Sequence, residues 1–113
     1  MIGFAPDSWN FLSAFVKNKI EKLDNLDELG LVKKKENSNN FFDFFRNRII
    51  FPIKNRQGTI VGFAGRSIDN SNPKYLNSKE SIIFSKRKVL FGIDKFNKLK
   101  GKKPKFVLLV CLL

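Results

Sequence analysis

The chain has 113 residues, which is enough for one domain of ordinary size and too few for two. Its 42% hydrophobic content, with thirteen phenylalanines, excludes a disordered basic tail, because that much apolar surface can offset the entropy of ordering. A net charge of +12 predicts a polyanionic partner, nucleic acid first and an anionic membrane surface as the alternative. One cysteine and no histidine exclude an internal disulfide and histidine-based acid–base chemistry.

The positive charge is unevenly distributed. Residues 1–45 hold six basic and seven acidic side chains, whereas residues 46–113 hold sixteen basic and three acidic ones. Lysines outnumber arginines seventeen to five, and Asn and Ile are also frequent, as a coding bias toward A and T produces. The arginines therefore carry more weight than the lysines, because their planar fork suits phosphate.

The first predicted elements are two helices. The first is capped by Asp7 or Ser8 and carries its apolar side chains at helical spacing. The second covers Asn25–Leu29, is capped by Asp24 or Asn25, and ends at Gly30, which tolerates a left-handed backbone. The apolar face of the first helix is predicted to contain Trp9, Leu12, Phe15 and Val16.

Two hairpins are predicted next. Leu31–Lys35 and Phe41–Phe45 flank the polar turn at residues 36–40. Ile49–Lys54 and Thr59–Arg66 flank the loop Asn55-Arg56-Gln57-Gly58, which puts glycine where a positive φ is needed. Helices followed by antiparallel hairpins predict a small α+β domain.

The last third of the chain is predicted to be less regular. Residues 69–73 form a polar loop, and Lys74–Phe84 is irregular apart from a strand near Ile82-Ile83-Phe84. A helix is expected over Lys88–Leu99, followed by a linker at 101–104 and an apolar strand at 106–110. The apolar run 106–113 is far shorter than the roughly twenty residues of a membrane-spanning helix. Since the start of the chain also lacks a basic leader, a cytoplasmic location is expected.

Five segments in this order suggest a family. They are Ile2–Trp9, Phe45–Ile53, Gly62–Arg66, Pro73–Ser78 and Leu90–Gly92. In order and spacing they resemble bacterial DnaG-type DNA primases, over residues 2–110. The resemblance implies that residues 1–105 are the N-terminal subdomain of the catalytic RNA polymerase core, and that residues 106–113 begin the first strand of a TOPRIM subdomain.

The resemblance also implies a basic groove for the single-stranded DNA template, the RNA primer and incoming nucleotide triphosphates. Arg66, Lys74 and Lys86 match groove residues of the family by position. Cations at these places suit nucleotidyl transfer, because they stabilise the charge of the triphosphate and the template backbone. Binding is favoured over a solvated surface role for Arg66 and Lys74. The two roles are balanced for Lys86, because its neighbours Ser85 and Arg87 depart from the family.

Five further positions are candidate contacts for nucleic acid or nucleotide. Arg46 and Arg48 alternate on a predicted strand, so both are expected to project into the groove, with a salt bridge to Asp43 as the alternative. Tyr75, Asn77 and Ser78 order their loop or touch the nucleotide, and a turn-stabilising role is favoured for the last two.

The phenylalanines before these arginines have two interpretations. Phe41, Phe42, Phe44 and Phe45 stack bases or pack in the core, and core packing is favoured because alternate residues of the run face opposite sides. Phe44 stands where the family tends to carry a basic residue. A phosphate contact of the family is therefore expected to be absent at this position.

The resemblance implies cofactors and partners that these residues do not supply. Magnesium belongs to the TOPRIM subdomain, zinc to an N-terminal domain, and a replicative helicase is the expected protein partner. Cys111 stands where the family has its catalytic glutamate, so we expect no catalytic and no metal-binding residue here. The chain is interpreted as a primase part truncated at both ends and unable to make primers alone.

Two alternatives remain from the sequence. The chain is a non-catalytic single-stranded DNA-binding fragment of a disrupted primase gene, or, as a weaker option, a basic membrane binder. The order of the motifs argues against the membrane binder.

Overall fold

The computed structural model describes residues 1–16 and 20–97. They form an α+β arrangement of short helices and antiparallel strands, which confirms the predicted fold class. The strands build a four-stranded sheet and a separate two-stranded hairpin. In chain order the elements are β1 (Gly3–Ala5), α1 (Phe11–Phe15), α2 (Ile20–Glu28), β2 (Val32–Lys34), β3 (Phe41–Asp43), β4 (Arg48–Lys54), β5 (Ile60–Ser67), β6 (Tyr75–Asn77) and α3 (Ile93–Asn97).

The four-stranded sheet has the order β1-β4-β5-β6, and all its neighbouring strands are antiparallel. Its central hairpin, β4–β5, confirms the prediction. The side-chain oxygen of Asn55 accepts hydrogen bonds from the backbone N–H groups of Gln57 and Thr59, both at 3.0 Å. Gly58 has a φ of +85°, a backbone conformation that glycine adopts without steric cost. Local turn chemistry therefore closes this hairpin.

The second predicted hairpin is also confirmed, as the antiparallel pair β2–β3. Helix α2 packs against β2, and α1 packs against β3. Gly30 follows α2 with a φ of +75°, as predicted for a residue that ends a helix. Val32, at the start of β2, is fully buried. These four elements form a unit that we call the helix–hairpin unit.

Helix α1 begins later than predicted and is capped differently. It starts after Asn10, and the predicted caps Asp7 and Ser8 make no bond to its first N–H groups. The carboxylate of Asp43 instead accepts hydrogen bonds from the N–H groups of Leu12 (2.7 Å) and Ser13 (2.9 Å). The prediction of a local cap was wrong because the capping side chain lies about thirty residues away in sequence.

The predicted apolar face of this helix was also wrong. Trp9 precedes the helix and is 61% exposed, and Phe15 is 86% exposed. Helix α2 differs in length, since it begins at Ile20. Asp24 and Asn25 therefore lie inside the helix and do not cap it.

The prediction of a strand near residues 82–84 was wrong. The strand in this part of the chain is Tyr75–Asn77, which pairs with β5, while residues 82–84 form no strand. Ser81 and Phe84 instead bond each other's backbones, and the ring of Phe84 turns inward against Gly62. Burial of this ring outweighs the β propensity of the isoleucines before it.

The last predicted helix begins later in the structure than the sequence indicated. Helix α3 begins at Ile93 and not at Lys88. The expected linker at 101–104, the strand at 106–110 and the proposed division at residue 105 lie outside the described residues.

The hydrophobic core lies on one face of the four-stranded sheet. Phe84 contacts the position of Gly62 on this face, while Phe45 contacts the position of Gly65 on the other. Since successive residues of a strand point to opposite faces, Arg66 shares the face of Gly62. The buried core residues are Ile53, Val61, Ala64 and Phe84, with Phe51 and Val89 packed against them.

Candidate nucleic-acid interface

A row of four residues crosses the sheet, one from each strand. The register pairs Phe4 with Ile49, Ile49 with Arg66, and Arg66 with Tyr75. Directly opposed residues of antiparallel strands share a face, so these side chains lie side by side. Arg66 is exposed, and its guanidinium carbon lies 6.0 Å from the centroid of the Tyr75 ring. The sheet thus presents a cation beside an aromatic ring.

Arg48 lies on the opposite face of the sheet from Arg66. It is only 6% exposed, and its Nη1 lies 3.5 Å from the carbonyl oxygen of Gly65 and 3.4 Å from that of Lys74. Burial lowers the pKa of Arg48 below its ordinary value, and the nearby charge of Arg46 lowers it further, against the opposing effect of Asp69. These contacts link Arg48 to the backbone on which Lys74 stands.

The two predicted lysines are exposed. Lys74 follows the cis peptide Asn72–Pro73, and its carbonyl oxygen also accepts a hydrogen bond from the N–H of Ser67 at 2.9 Å. Lys74 is therefore anchored through its backbone, and its side chain is left in solvent next to Tyr75. The backbone N–H of Lys86 donates to a carboxylate oxygen of Glu80 at 3.0 Å.

Ser78 extends the pairing of β5 with β6. Its N–H donates to the carbonyl of Phe63 at 2.8 Å, and its hydroxyl accepts the N–H of Phe63 at 2.9 Å. The side chain is 1% exposed, so its contacts are those of a structural anchor. Asn77 is half-buried and pairs with Ala64.

A second cluster surrounds Arg46. Its guanidinium carbon lies 3.7 Å from the Trp9 ring centroid and 5.8 Å from that of Phe42, and its Nη1 donates to the carbonyl oxygen of Asp43. The two rings are 5.7 Å apart. Arg46 therefore stacks on an aromatic pair, an arrangement that favours a fixed guanidinium orientation.

Arg46 and Arg48 were predicted to alternate on one strand, and this prediction was wrong. Strand β4 begins at Arg48, and Asn47 has a φ of +49°, which breaks the alternation. Asp43 contributes its carbonyl to Arg46, because its carboxylate bonds the start of α1. Trp9 was missed as a site residue because helical spacing assigned it to an apolar face.

Within residues 1–16 and 20–97, no group of three or more His, Cys, Asp and Glu side chains is close enough to hold a metal ion. None of the helices described is long and apolar enough to cross a bilayer.

An exposed Arg66 and a half-buried Arg46, each set against aromatic rings, form an arrangement that is typical of proteins that bind single-stranded nucleic acid.

Comparison with known proteins identifies the family. Residues 1–97 match the family model of the DNA primase catalytic core, N-terminal domain. The DNA primase of Staphylococcus aureus (strain COL) is 47% identical over 108 residues, which is 96% of this chain and 18% of the relative. The chain belongs to the DnaG primase family, as the resemblance predicted, and spans about a fifth of the length of the curated relatives it matches.

Solved structures agree with this assignment. The E. coli primase catalytic core has a TM-score of 0.81 and 33% identity, covering 90% of this chain and 32% of the other. A DnaG primase catalytic domain bound to single-stranded DNA has the same TM-score and identity, covering 90% and 33%. A structure from Aquifex aeolicus, with zinc-binding and RNA polymerase domains, has a TM-score of 0.70 and 33% identity, covering 82% and 23%.

Proposed function

We propose that this chain supplies the basic single-stranded template and nucleotide-binding surface of a DNA primase, the DNA-directed RNA polymerase that makes primers for replication. The observation that carries the proposal is the exposed Arg66 beside the half-buried ring of Tyr75, with the exposed Lys74 next in sequence. Arginine grips phosphate in two places, lysine acts as a point charge, and a tyrosine ring stacks on a base. These three side chains are the proposed contacts on the sheet.

Arg46 and Trp9 are the proposed contacts on the helix–hairpin unit. Arg46 covers part of the indole, while Trp9 remains 61% exposed. An exposed ring beside a cation suits a base and its neighbouring phosphate.

Arg48 and Ser78 act as positioning residues in this proposal. Arg48 holds the carbonyls of Gly65 and Lys74, and Ser78 holds the backbone of Phe63. Asn77 and Lys86 stay candidate contacts. The backbone of Lys86 is held by its hydrogen bond to the carboxylate of Glu80, which leaves its side chain available.

The remaining parts of the reaction belong to the rest of a primase. Magnesium in a TOPRIM subdomain would stabilise the triphosphate, zinc would serve an N-terminal domain, and a replicative helicase would be the protein partner. The ligands proposed for this surface are the template, the RNA primer and nucleotide triphosphates. The proposed location is the cytoplasm. By itself the chain is expected to bind without synthesising primers.

Binding of a fluorescent twelve-nucleotide dT strand, measured by anisotropy at several salt concentrations, tests the surface. The double variant Arg66→Glu with Lys74→Glu should bind more weakly. The slope of log K against log salt should become shallower by about 1.4, because each of the two lost phosphate contacts with a single strand contributes about 0.7 to the slope.

A matched control is Lys54→Glu with Arg56→Glu. It makes the same change in charge at the far end of the β4–β5 hairpin, roughly 20 Å along the strand from Arg66. The control should bind more tightly than the Arg66 and Lys74 variant. Equal loss in both would mean that only net charge matters and would refute the assignment of this surface.

The second candidate function is a non-catalytic single-stranded DNA-binding fragment, which the concentration of sixteen basic residues after position 45 favours. Mixing the chain with a separately expressed TOPRIM fragment, template and nucleotides distinguishes the two. Template-dependent short RNA supports the primase part. DNA binding without RNA, under conditions in which the intact S. aureus relative is active, supports the fragment.

A further inference from the structure

Lys33 is a cation held in place by an aromatic ring. Its Nζ lies 4.7 Å from the centroid of the Phe44 ring, and the residue is exposed on β2. A cation over a ring face is attracted by the ring's electrons. The ring restrains the ammonium, while N–H donors on its solvent side remain available.

Lys33 also belongs to the face of the hairpin that carries the Arg46 cluster. It pairs directly with Phe42, so the two side chains share a face. Phe42 in turn lies 5.7 Å from the Trp9 ring and 5.8 Å from the guanidinium carbon of Arg46. Lys33 therefore lies on the same hairpin face as Phe42, whose ring is close to Trp9 and Arg46.

Lys34 follows Lys33 on the same strand and is also exposed, but it pairs with Phe41 and points to the opposite face. It nevertheless lines a cavity together with Trp9 and Phe42. A lysine that lies away from this region is Lys54, at the far end of the β4–β5 hairpin.

We propose that Lys33 is a further contact for single-stranded nucleic acid, in which its ammonium binds a backbone phosphate and Phe44 positions it. This inference rests on the proposed function. A strand whose base stacks on Trp9 would carry phosphates on both sides of that base, within reach of more than one cation of the cluster. Phe44 stands where the resemblance led us to expect a basic residue, and Lys33 brings a cation to that place from the neighbouring strand.

The test compares Lys33→Gln with Lys54→Gln in the intact 113-residue chain. Binding of the dT strand is followed by anisotropy and by the fluorescence of Trp9, the only tryptophan. Lys33→Gln should bind more weakly at low salt, with a salt slope shallower by about 0.7, as expected for one lost contact with a single strand. Lys54→Gln, which removes the same charge at the far end of the β4–β5 hairpin, should keep the wild-type slope.

Phe44→Leu tests the positioning role without changing charge. It should weaken binding less than Lys33→Gln does. The two substitutions combined should cost no more than Lys33→Gln alone, because residues that act through one contact are not additive. Additive losses would overturn the role of Phe44.

The outcomes separate this inference from the proposed function. If Lys33→Gln and Lys54→Gln bind alike while the Arg66 and Lys74 variant is weakened, the role of Lys33 is overturned and the proposed function stands. If the wild-type chain does not bind the strand, both are overturned. Circular dichroism of each variant confirms that the compared proteins are folded.

Discussion

The four-stranded sheet and the helix–hairpin unit place their cations by different physical means. In the sheet, backbone pairing sets Arg66 opposite Tyr75. In the helix–hairpin unit, aromatic side chains position the cations, since Arg46 lies over the ring of Trp9 and Lys33 over the ring of Phe44. A site placed by backbone register tolerates substitution of neighbouring side chains, whereas a site placed by rings depends on a few of them.

Phe45 joins the two regions. Its ring meets that of Phe44 edge to face at 5.0 Å, and it also lies against Gly65 in the sheet. A substitution at this junction is therefore expected to affect both regions.

The largest effect is expected from Asp43→Ala, which removes the side chain anchoring α1. The part-buried N–H of Leu12 and the buried N–H of Ser13 lose their partner. We expect the free energy of unfolding to fall by about 2–6 kcal/mol, since each of the two orphaned groups costs ~1–3 kcal/mol. Urea unfolding monitored by Trp9 fluorescence measures this.

Glu36→Ala, in the exposed turn between β2 and β3, is the matched control. It should leave the urea midpoint near that of the wild type. A similarly small change for Asp43→Ala would show that the helix–hairpin unit does not depend on this carboxylate.

A smaller effect is expected from Gly65→Ala at the junction. An added Cβ would lie 2.8 Å from Cδ1 of Phe45 and 3.1 Å from Cδ of Arg48. Overpacking of this kind costs about 1–3 kcal/mol in unfolding free energy. Calorimetry should show a lower melting temperature.

Gly3→Ala is its control within the same sheet, because its nearest neighbour would be Ile50 Cβ at 3.6 Å, an ordinary contact. Equal melting temperatures for the two variants would contradict the close packing of Phe45 on Gly65.

The smallest effect is expected from Asp69→Asn, in the exposed loop before β6. Hydrogen bonds from the hydroxyl and then the N–H of Ser71 hold the pKa of Asp69 below its ordinary value of 3.8. Because the folded-state pKa is the lower one, this stabilisation is present above about pH 4 and is lost as the pH falls through the folded-state value. Asp69→Asn should therefore show a smaller loss of stability on acidification.

Urea midpoints at pH 7 and pH 3 measure this difference. Ser71→Ala should reproduce part of it, since it removes the hydroxyl donor and keeps the backbone one. An Asp69→Asn variant as sensitive to acid as the wild type would exclude this contribution.

The parts of the fold that the sequence predicted are those determined by neighbours along the chain. The β4–β5 and β2–β3 hairpins, and the end of α2 at Gly30, depend on turn residues and alternation within a few positions. The ordered motifs likewise identified the DnaG primase family, because a motif is itself a local pattern of residues.

The candidate site was predicted only in part. Arg66 and Tyr75 were named in advance, and the structure brings them together. Trp9 and Lys33 were not named, because their importance arises from rings and cations that are distant in sequence.

The sequence by itself determined the class of fold, the two hairpins and the family. Only the tertiary structure decided that Asp43 caps α1, that Tyr75–Asn77 and not residues 82–84 joins the sheet, and that Arg46 stacks on Trp9. The physical reason is that these contacts join residues whose separation along the chain carries no periodic signal. They depend on packing between distant segments, of which the burial of Phe84 and Val32 is part.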